Sequence, residues 1–236
     1  MLVKNGASAP WMRRMLYWLD MKRAFDCVVA VLLLLMLCPL YLMISAAVVL
    51  GAGMPVFFCQ RRVGRHGRDF TLYKFRTMRP LVGAEAGLFD AGCTTRVTSI
   101  GRFLRASKLD ELPQVWNVLR GDMSLVGPRP EVRKWVDAYP ERWAAILALP
   151  PGITDPASIE FRDEERILME AADPEDHYLR VILPRKLAIY EAYLRSRSFR
   201  GDLLILLATV RAVLSRANVP ASGASMRQGE PRKRVG

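Results

Sequence analysis

The sequence predicts an α+β fold that is mostly helical: an N-terminal re-entrant membrane helix hairpin, a small β-hairpin, and a helical domain with interfacial helices. The first observation behind this prediction is an uncharged apolar stretch near the N-terminus that a Cys-Pro pair interrupts. The second is a pair of short runs rich in β-forming residues on either side of a glycine-containing turn. The third is a succession of segments, between residues 107 and 214, with apolar residues at helical spacing.

Length and charge bound the function without fixing it. The chain has 236 residues and a formal net charge of +12. This length suits one substantial domain, and the charge suits a membrane surface, a nucleic acid or a phosphorylated substrate. We expect residues 1–21 to be an interfacial or flexible leader, residues 22–214 to form a single domain, and residues 215–236 to be a disordered basic tail.

Cysteine and histidine usage excludes several classes of site. The four cysteines show no CxxC spacing, and the chain has only two histidines. We therefore expect neither a disulfide framework nor a zinc site, and we expect a reducing setting for the polar part. Any catalysis must depend on carboxylates, arginines and lysines.

An apolar stretch without a formal charge runs from Cys27 through Gln60. A helix needs about 20 apolar residues to span a bilayer, so length permits a crossing. Pro39 lacks an N–H and its ring clashes with the preceding turn, which predicts a kink at Cys38-Pro39. Basic residues flank the stretch on both sides: Arg13, Arg14, Lys22 and Arg23 before it, and Arg61, Arg62, Arg65 and Arg68 after it. The positive-inside rule assigns both flanks to the cytoplasm. This favours a re-entrant hairpin over residues 22–54, with a bent single-pass helix as the alternative.

Shorter elements surround this hairpin. Residues 10–20 mix aromatic and basic side chains, which is typical of a helix in the membrane interface. Residues 56–59 and 70–75 predict the two strands of the β-hairpin, and residues 81–95 predict a loop. Four later segments are predicted to be helical: residues 131–149, 162–172, 184–197 and 201–214.

The best-marked helix of the sequence begins near residue 107. Ser107 is its predicted N-cap, and Gly121 is its predicted C′ glycine. Its first turn carries Asp110 and Glu111. Taken alone, this pair is explained by the favourable interaction of acidic side chains with the positive end of the helix dipole. The cations near this pair in the sequence are Arg102, Arg105, Lys108 and Arg129. Two carboxylates among cations at a helix start can hold a divalent metal and a diphosphate together.

Three runs of the sequence carry a resemblance to a known family. They are KFRTM (residues 74–78), SKLDELPQVWNVLRGDMSLVGPRP (residues 107–130) and PGITD (residues 151–155). Together they resemble the bacterial sugar transferase family, the monotopic polyprenyl-phosphate phosphoglycosyl transferases, in its small single-domain form. The resemblance covers residues 22–214. It implies transfer of a sugar 1-phosphate from a nucleotide diphosphate sugar, usually a UDP-sugar, to polyprenyl phosphate. It places this step at the cytoplasmic face of the bacterial inner membrane, where it initiates glycan assembly on a lipid carrier.

The resemblance also implies roles for individual residues. Asp110 is the expected nucleophile, which forms a covalent aspartyl-phosphosugar intermediate. Asp110 and Glu111 are the expected ligands of a Mg²⁺ cofactor, and the division of roles between them stays open. The expected substrate-binding residues are Arg105, Arg129, Lys74, Arg76 and Arg162.

Two positions depart from the pattern of many relatives. Cys38 precedes the helix-breaking proline, where many relatives have serine, and a thiol is a weaker donor to a freed carbonyl. Asp155 ends the PGITD run, where many relatives have glycine. This second departure bears on the recognition of the sugar or of the acceptor.

A non-catalytic function is the alternative. In it, a membrane-anchored basic module binds anionic lipid or nucleic acid through its positive charge. No recognised nucleic-acid motif is present, so we expect no nucleic-acid partner. The expected partners are a nucleotide sugar, polyprenyl phosphate and membrane lipids, and the sequence leaves dimerisation open.

Overall fold

The computed structural model describes residues 10–79 and 96–215. Its helices are α1 (Pro10–Met36), α2 (Cys38–Ala52), α3 (Ser99–Ser107), α4 (Gln114–Arg120), α5 (Arg133–Asp137), α6 (Pro140–Ile146), α7 (Pro156–Glu160), α8 (Glu164–Glu170), α9 (Pro174–His177), α10 (Leu183–Ser196) and α11 (Phe199–Ser215). Its strands are β1 (Phe57–Val63), β2 (Asp69–Phe75), β3 (Ser124–Val126) and β4 (Gly152–Thr154). The mostly helical α+β prediction is confirmed. The loop predicted over residues 81–95 lies outside the described residues, as does the tail from residue 216 onward.

The first two helices form a bent pair. Leu37 separates them, and the pair bends by 63° at this break. Pro39 lies in the first turn of α2, where its missing N–H leaves no helical hydrogen bond unmade. The predicted kink is therefore confirmed. Among the described residues no single helix is long and apolar enough to cross a bilayer, whereas the bent pair has the length and composition to do so. Insertion in a membrane remains a prediction. Helix α1 begins at Pro10, so it includes residues that the sequence assigned to a separate leader.

Two basic residues near the start of the apolar stretch bind the rest of the protein. The Lys22 ammonium lies 2.5 Å from Oδ2 of Asp202 on α11, and both side chains are almost completely buried. The Arg23 guanidinium donates to the carbonyls of Val118 and Leu119 near the C-terminus of α4, the second at 2.7 Å. A cation at this end of a helix meets the unpaired carbonyls and the negative end of the dipole. Two of the predicted flanking charges therefore fasten α1 to the domain.

Helix α2 packs on the same domain. The Tyr41 hydroxyl donates to the Leu112 carbonyl at 2.5 Å. Ile44 and Val48 are buried in one hydrophobic cluster with Leu104 of α3. Both members of the bent pair are consequently attached to one folded body.

The predicted β-hairpin is confirmed and is longer than predicted. Strands β1 and β2 pair antiparallel, with Phe57 opposite Phe75 and Val63 opposite Asp69. Asn117 of α4 holds the second strand: its side chain accepts from the Tyr73 N–H at 3.2 Å and donates to the Thr71 carbonyl at 2.7 Å. Asn117 is fully buried, so this amide fixes β2 against the helix.

The helix predicted from residue 107 is wrong at its start. Ser107 ends α3, whose N-cap is Thr98, with the Thr98 hydroxyl accepting from the Gly101 N–H at 3.0 Å. Lys108 follows in the left-handed conformation, with φ of 59°, and Leu109–Glu111 form a 3₁₀ turn. Helix α4 begins only after Pro113, because a proline inside a helix removes a hydrogen bond and clashes with the preceding turn. The C′ glycine is confirmed.

A second sheet was absent from the sequence prediction. Strands β3 and β4 pair in parallel, and the pairing continues into the following turn. The Gly127 N–H donates to the Thr154 carbonyl at 3.1 Å, and the Gly152 N–H donates to the Pro128 carbonyl at 3.0 Å. A Cβ on Gly152 would lie 2.1 Å from the Gly127 nitrogen, so the two backbones meet where no side chain fits.

The remaining helices partly match the prediction. The single helix predicted over residues 131–149 is divided into α5 and α6, because Pro140 begins a new helix. The segment predicted over residues 162–172 contains α8, and α11 matches the segment predicted over residues 201–214. Helices α9 and α10 are joined by a π-helical turn, Tyr178–Ile182.

The core and the apolar surface lie on different elements. The largest hydrophobic cluster draws on α5, α6, α8 and α10, where Trp143, Leu187 and Tyr190 are almost fully buried. Large apolar side chains are exposed on α1, α2 and α11: Val28, Leu32, Leu35, Met36, Leu42, Met43, Leu50, Leu204, Leu207 and Val210. An apolar surface of this extent marks a contact with lipid or with another protein.

Candidate active site

Three segments bring one carboxylate and two cations together. Glu111 lies in the 3₁₀ turn, Lys74 lies on β2, and Arg129 lies in the Pro-Arg-Pro turn (residues 128–130) that follows β3. Oε1 of Glu111 is 2.9 Å from the Lys74 ammonium and 2.5 Å from one guanidinium nitrogen of Arg129. The other terminal nitrogen of Arg129 donates to Oε2 of Glu111 at 3.3 Å. The arginine fork therefore grips both carboxylate oxygens.

Asp110 has a different environment from its neighbour. Its residue exposure is only 7%, and its Oδ1 has no hydrogen-bond partner within the described part of the chain. Burial raises the pKa of the Asp110 carboxyl, and the charge of Lys74 opposes that shift. The fold thus keeps one carboxylate oxygen buried and available, which costs stability unless a ligand engages it.

The adjacent charges hold Glu111 in its ionised form. Burial alone would raise the pKa of Glu111, but Arg129 and Lys74 outweigh it and hold that pKa well below its usual range. The Glu111 charge in turn raises the pKa of Arg129 well above its usual value. The pKa of Asp110 is therefore raised while the pKa of its neighbour Glu111 is lowered. Such a divergence is common where two acids take different roles.

The carboxylates differ in how well they suit a divalent cation. Among residues 10–79 and 96–215 no group of three or more His, Cys, Asp or Glu residues could hold a metal. Mg²⁺ needs only one or two carboxylates when phosphate and water complete its shell. Oδ1 of Asp110, which has no partner in the described part of the chain, suits the role of such a carboxylate ligand. Both oxygens of Glu111 already accept from cations, so Glu111 would bind a metal only by giving up Lys74 or Arg129.

Arg105 lies near the pair but has protein partners. Its Nε donates to the Thr77 hydroxyl at 3.0 Å, and a terminal nitrogen lies 2.8 Å from Glu165. Its charge still acts on Asp110, where it opposes the rise of the pKa.

The other two predicted arginines are not brought into direct contact with the carboxylates in the described structure. Arg76 is largely buried at the end of β2, and its backbone N–H donates to the Val56 carbonyl at 2.9 Å. Arg162 donates to the Ala212 carbonyl near the C-terminus of α11 at 3.2 Å. Their predicted roles in substrate binding stay predictions.

Sequence reasoning missed a buried polar group behind the Pro-Arg-Pro turn. Glu131 accepts from the Tyr178 hydroxyl at 2.5 Å and from Arg62 at 3.3 Å. Lys186 lies 4.0 Å from Glu131 and 2.5 Å from Glu164. These residues are far apart in the chain, so their spacing carries no signal. The one available cue was the position of Glu131 directly after residues 128–130.

Asp155 is a second residue whose environment only the structure shows. It is 0% exposed. Its Oδ1 accepts from the Ser158 N–H at 2.9 Å and its Oδ2 accepts from the Ser158 hydroxyl. Burial raises the pKa of Asp155, and Ser158 and then Arg129 oppose that shift. Burial raises the pKa of the Tyr190 hydroxyl, which has no hydrogen-bond partner among the described residues, and the charge of Asp155 adds to that rise.

Comparison with known proteins identifies one family. The model of the bacterial sugar transferase family matches residues 17–216. The chain is 39% identical to an uncharacterised sugar transferase, EpsL, of Bacillus subtilis over 82% of this chain and 87% of that protein. It is 37% identical to a UDP-glucose:undecaprenyl-phosphate glucose-1-phosphate transferase of Caulobacter vibrioides over 84% of this chain and 71% of that protein.

Other relatives are much longer than this chain. One is a UDP-N-acetylgalactosamine-undecaprenyl-phosphate N-acetylgalactosaminephosphotransferase of Aeromonas hydrophila, 34% identical over 82% of this chain. The chain spans 44% of that relative's length, and it spans 36% of an undecaprenyl-phosphate glucose phosphotransferase of Komagataeibacter xylinus.

Proposed function

The chain belongs to the bacterial sugar transferase family, and on that premise we propose that it is an enzyme that transfers a sugar 1-phosphate from a nucleotide diphosphate sugar to polyprenyl phosphate. Several relatives are named as undecaprenyl-phosphate sugar phosphotransferases, which supports this acceptor. Two of the relatives named here take a UDP-sugar by name, which supports a UDP-sugar as donor.

The observation that carries the proposal is the contrast between two adjacent carboxylates, whose pKa values are shifted in opposite directions. Asp110 keeps a buried oxygen that has no partner among the described residues, while Glu111 is ionised between Lys74 and Arg129. Phosphoryl transfer depends on positioning and charge neutralisation more than on a strong base. A buried carboxylate oxygen of Asp110, next in the chain to a glutamate that holds two cations, supplies both.

The proposed reaction has two displacement steps at one phosphorus atom. An oxygen of Asp110 attacks the phosphorus that bears the sugar, and the bond to the bridging oxygen breaks, so that the nucleoside monophosphate leaves with that oxygen. An oxygen of polyprenyl phosphate then attacks the same phosphorus and releases the Asp110 carboxylate. A covalent intermediate lets one residue meet a soluble donor and a lipid acceptor in turn.

The neighbouring charges of the site have complementary tasks. Lys74 and Arg129 bind the diphosphate and neutralise the charge that develops on the leaving group. Glu111 holds these two cations in place before the donor arrives. A Mg²⁺ ion bound by Asp110, with Glu111 as its second candidate ligand, would screen the negative charge of the diphosphate.

We also propose that the bent helix pair inserts in the cytoplasmic leaflet of the bacterial inner membrane and returns to the same side. The exposed apolar residues of α1, α2 and α11 support contact with lipid. The attachment of both helices to one domain supports the return, because Arg23 and Tyr41 contact residues close together on and before α4.

The activity is tested with a panel of UDP-sugars, a short polyprenyl phosphate and detection of UMP release. We expect the wild type to release UMP and Asp110→Asn to release none. The matched control is Asp137→Asn, which changes an exposed acid on α5 and should leave the rate unchanged. Incubation with labelled donor alone should leave a phosphosugar on Asp110 by mass spectrometry. Sustained turnover by Asp110→Asn would exclude the nucleophile role.

The topology is tested with single-cysteine variants in sealed inverted vesicles. One variant keeps only Cys59 on β1, and another carries only Met21→Cys on α1; both side chains are exposed. A re-entrant pair predicts that both thiols react with a membrane-impermeant reagent added outside. A variant that keeps only Cys38 at the kink should stay unlabelled. Labelling of Cys59 without labelling at position 21 would indicate a single crossing.

A further inference from the structure

We propose that Asp155 is a positioning residue for Arg129, which keeps the guanidinium oriented toward the diphosphate of the donor when the donor competes with Glu111 for the same nitrogens. This inference rests on the proposed function. The inference extends that function by assigning a role to Asp155, which makes no contact with Asp110 or Glu111 in the described structure.

The backbone links Asp155 to the turn that carries Arg129. Thr154, the preceding residue, accepts from the Gly127 N–H at 3.1 Å. The other end of the same strand is joined to the turn by the Gly152 N–H, which donates to the Pro128 carbonyl at 3.0 Å. These backbone hydrogen bonds hold β4 against the turn at Thr154 and Pro128, the residues directly before Asp155 and Arg129.

The local hydrogen bonds hold the Asp155 carboxylate still. Its two oxygens accept from the N–H and the hydroxyl of Ser158 at the start of α7. A residue that only caps this short helix would do so equally well at the surface and without a charge, since serine and asparagine are as good at this position. Complete burial of a carboxylate that is not paired with a cation in the described structure costs stability. Helix capping therefore does not explain why position 155 carries a buried negative charge.

Arg129 supplies that explanation. The charge of Glu111 raises the pKa of Arg129 most strongly, and the charges of Asp155 and Glu131 raise it further. Burial raises the pKa of Asp155, and the charges of Arg129 and Lys186 oppose that rise. The contact with Glu111 occupies both terminal nitrogens of Arg129, so a diphosphate that uses this fork must displace Glu111. Asp155 does not take part in that exchange, and its charge continues to act on Arg129 throughout.

The experiment compares variants of Asp155 that keep the helix cap. Asp155→Asn and Asp155→Ser both retain a side-chain acceptor for the Ser158 N–H but remove the charge. Binding of UDP to the full chain in lipid nanodiscs is measured by calorimetry, and KM for donor and acceptor are measured separately. We expect both variants to bind UDP about fivefold more weakly or worse, with KM raised for the donor and unchanged for the acceptor.

Ser158→Ala is the matched control. It removes the hydroxyl that donates to Asp155 but keeps the backbone N–H and the buried charge. A capping role alone predicts that Ser158→Ala and Asp155→Asn both lower the melting temperature and leave the affinity for UDP unchanged. A positioning role predicts that only the Asp155 variants lose affinity.

A double-mutant cycle tests whether Asp155 acts through Arg129. We expect Arg129→Gln to weaken UDP binding, and Asp155→Asn to add no further loss in the Arg129→Gln background. Affinity of Asp155→Asn within about twofold of the wild type, or full additivity of the two losses, would overturn the inference. A wild type that binds UDP in an Asp155-dependent way but releases no UMP would refute the transfer reaction alone. A wild type that fails to bind UDP would refute both.

Discussion

The two adjacent carboxylates are expected to have opposite effects on the stability of the protein. Glu111 is ionised between two cations, whereas Asp110 is buried and one of its oxygens has no partner within residues 10–79 and 96–215. Glu111→Gln removes the charge that Lys74 and Arg129 share, so it should destabilise the fold at neutral pH. Asp110→Asn removes a charge that burial disfavours, so it should stabilise the fold at neutral pH while it abolishes transfer.

The magnitude for Glu111→Gln follows from its geometry. Two charges 2.9 Å apart attract by about 6 kcal/mol at an effective dielectric constant of about 20. Desolvation offsets a large part of this attraction. The side-chain exposures are 12% for Glu111, 21% for Lys74 and 27% for Arg129. Removal of one partner of a mostly buried pair should therefore cost about 3 kcal/mol, the low end of the range for buried pairs. For a chain of this length that corresponds to a fall in melting temperature of roughly 6–12 °C.

The pH dependence of the two effects follows from the directions of the pKa shifts. The pKa of Glu111 is held well below its ordinary value of 4.5, so its contribution to stability is present above that value and is lost as pH falls through the folded-state pKa. The pKa of Asp110 is raised above 3.8, so ionised Asp110 destabilises the fold at pH values above its raised pKa. The stabilising effect of Asp110→Asn should therefore disappear as pH falls toward 3.8.

The assay is denaturant-induced unfolding of the wild type and both variants in the same detergent, at several pH values between neutral and about pH 4. The control is Asp137→Asn, which changes an exposed side chain on α5 and should leave the free energy of unfolding unchanged at neutral pH. A destabilisation by Glu111→Gln of less than about 1 kcal/mol at neutral pH would be no larger than that of a surface ion pair and would refute the reasoning. A change in the free energy of unfolding in the same direction for Glu111→Gln and Asp110→Asn would also refute the reasoning.

Three further substitutions test other parts of the structure. Arg129→Lys should raise KM for the donor and lower activity although the positive charge is kept. The reason is that an ammonium cannot bind a carboxylate or a diphosphate through two parallel hydrogen bonds. Gly152→Ala should destabilise the fold by about 3 kcal/mol or more in denaturant unfolding, since its Cβ would lie 2.1 Å from the Gly127 nitrogen. Asp202→Asn should cost about 3 kcal/mol in the same assay, because it leaves the buried Lys22 ammonium without this carboxylate.

Each of these changes has a matched control in the chain. Arg133→Lys alters an exposed arginine after the same turn and should leave KM unchanged. Gly201→Ala in α11 would place its Cβ 3.1 Å from the Ser198 hydroxyl, the end of an exposed side chain that can move aside, so it should destabilise the fold much less. Glu175→Gln removes one partner of an ion pair at the surface and should cost less than about 1 kcal/mol. A control that behaves like its test variant would contradict the reason given for that variant.

Features that depend on neighbouring residues were predictable. The kink at Cys38-Pro39 follows from the missing N–H of proline, and the β-hairpin follows from two β-forming runs around a glycine turn. The prediction of a regular helix from Ser107 failed because the capping pattern was given more weight than Pro113, which forbids that helix. The same omission, of Pro140, joined α5 and α6 into one helix.

The sequence by itself determined which residue types stand together: the carboxyl pair at positions 110 and 111, the Pro-Arg-Pro turn, and the apolar stretch with its break. Only the tertiary structure decided their states. In the part of the chain that the structure describes, Glu111 is paired with Lys74 and Arg129, one oxygen of Asp110 has no partner, and Asp155 is fully buried. The reason is that a pKa depends on burial and on charges within a few ångströms, and the charges that matter here come from segments 18 to 37 residues away in the chain.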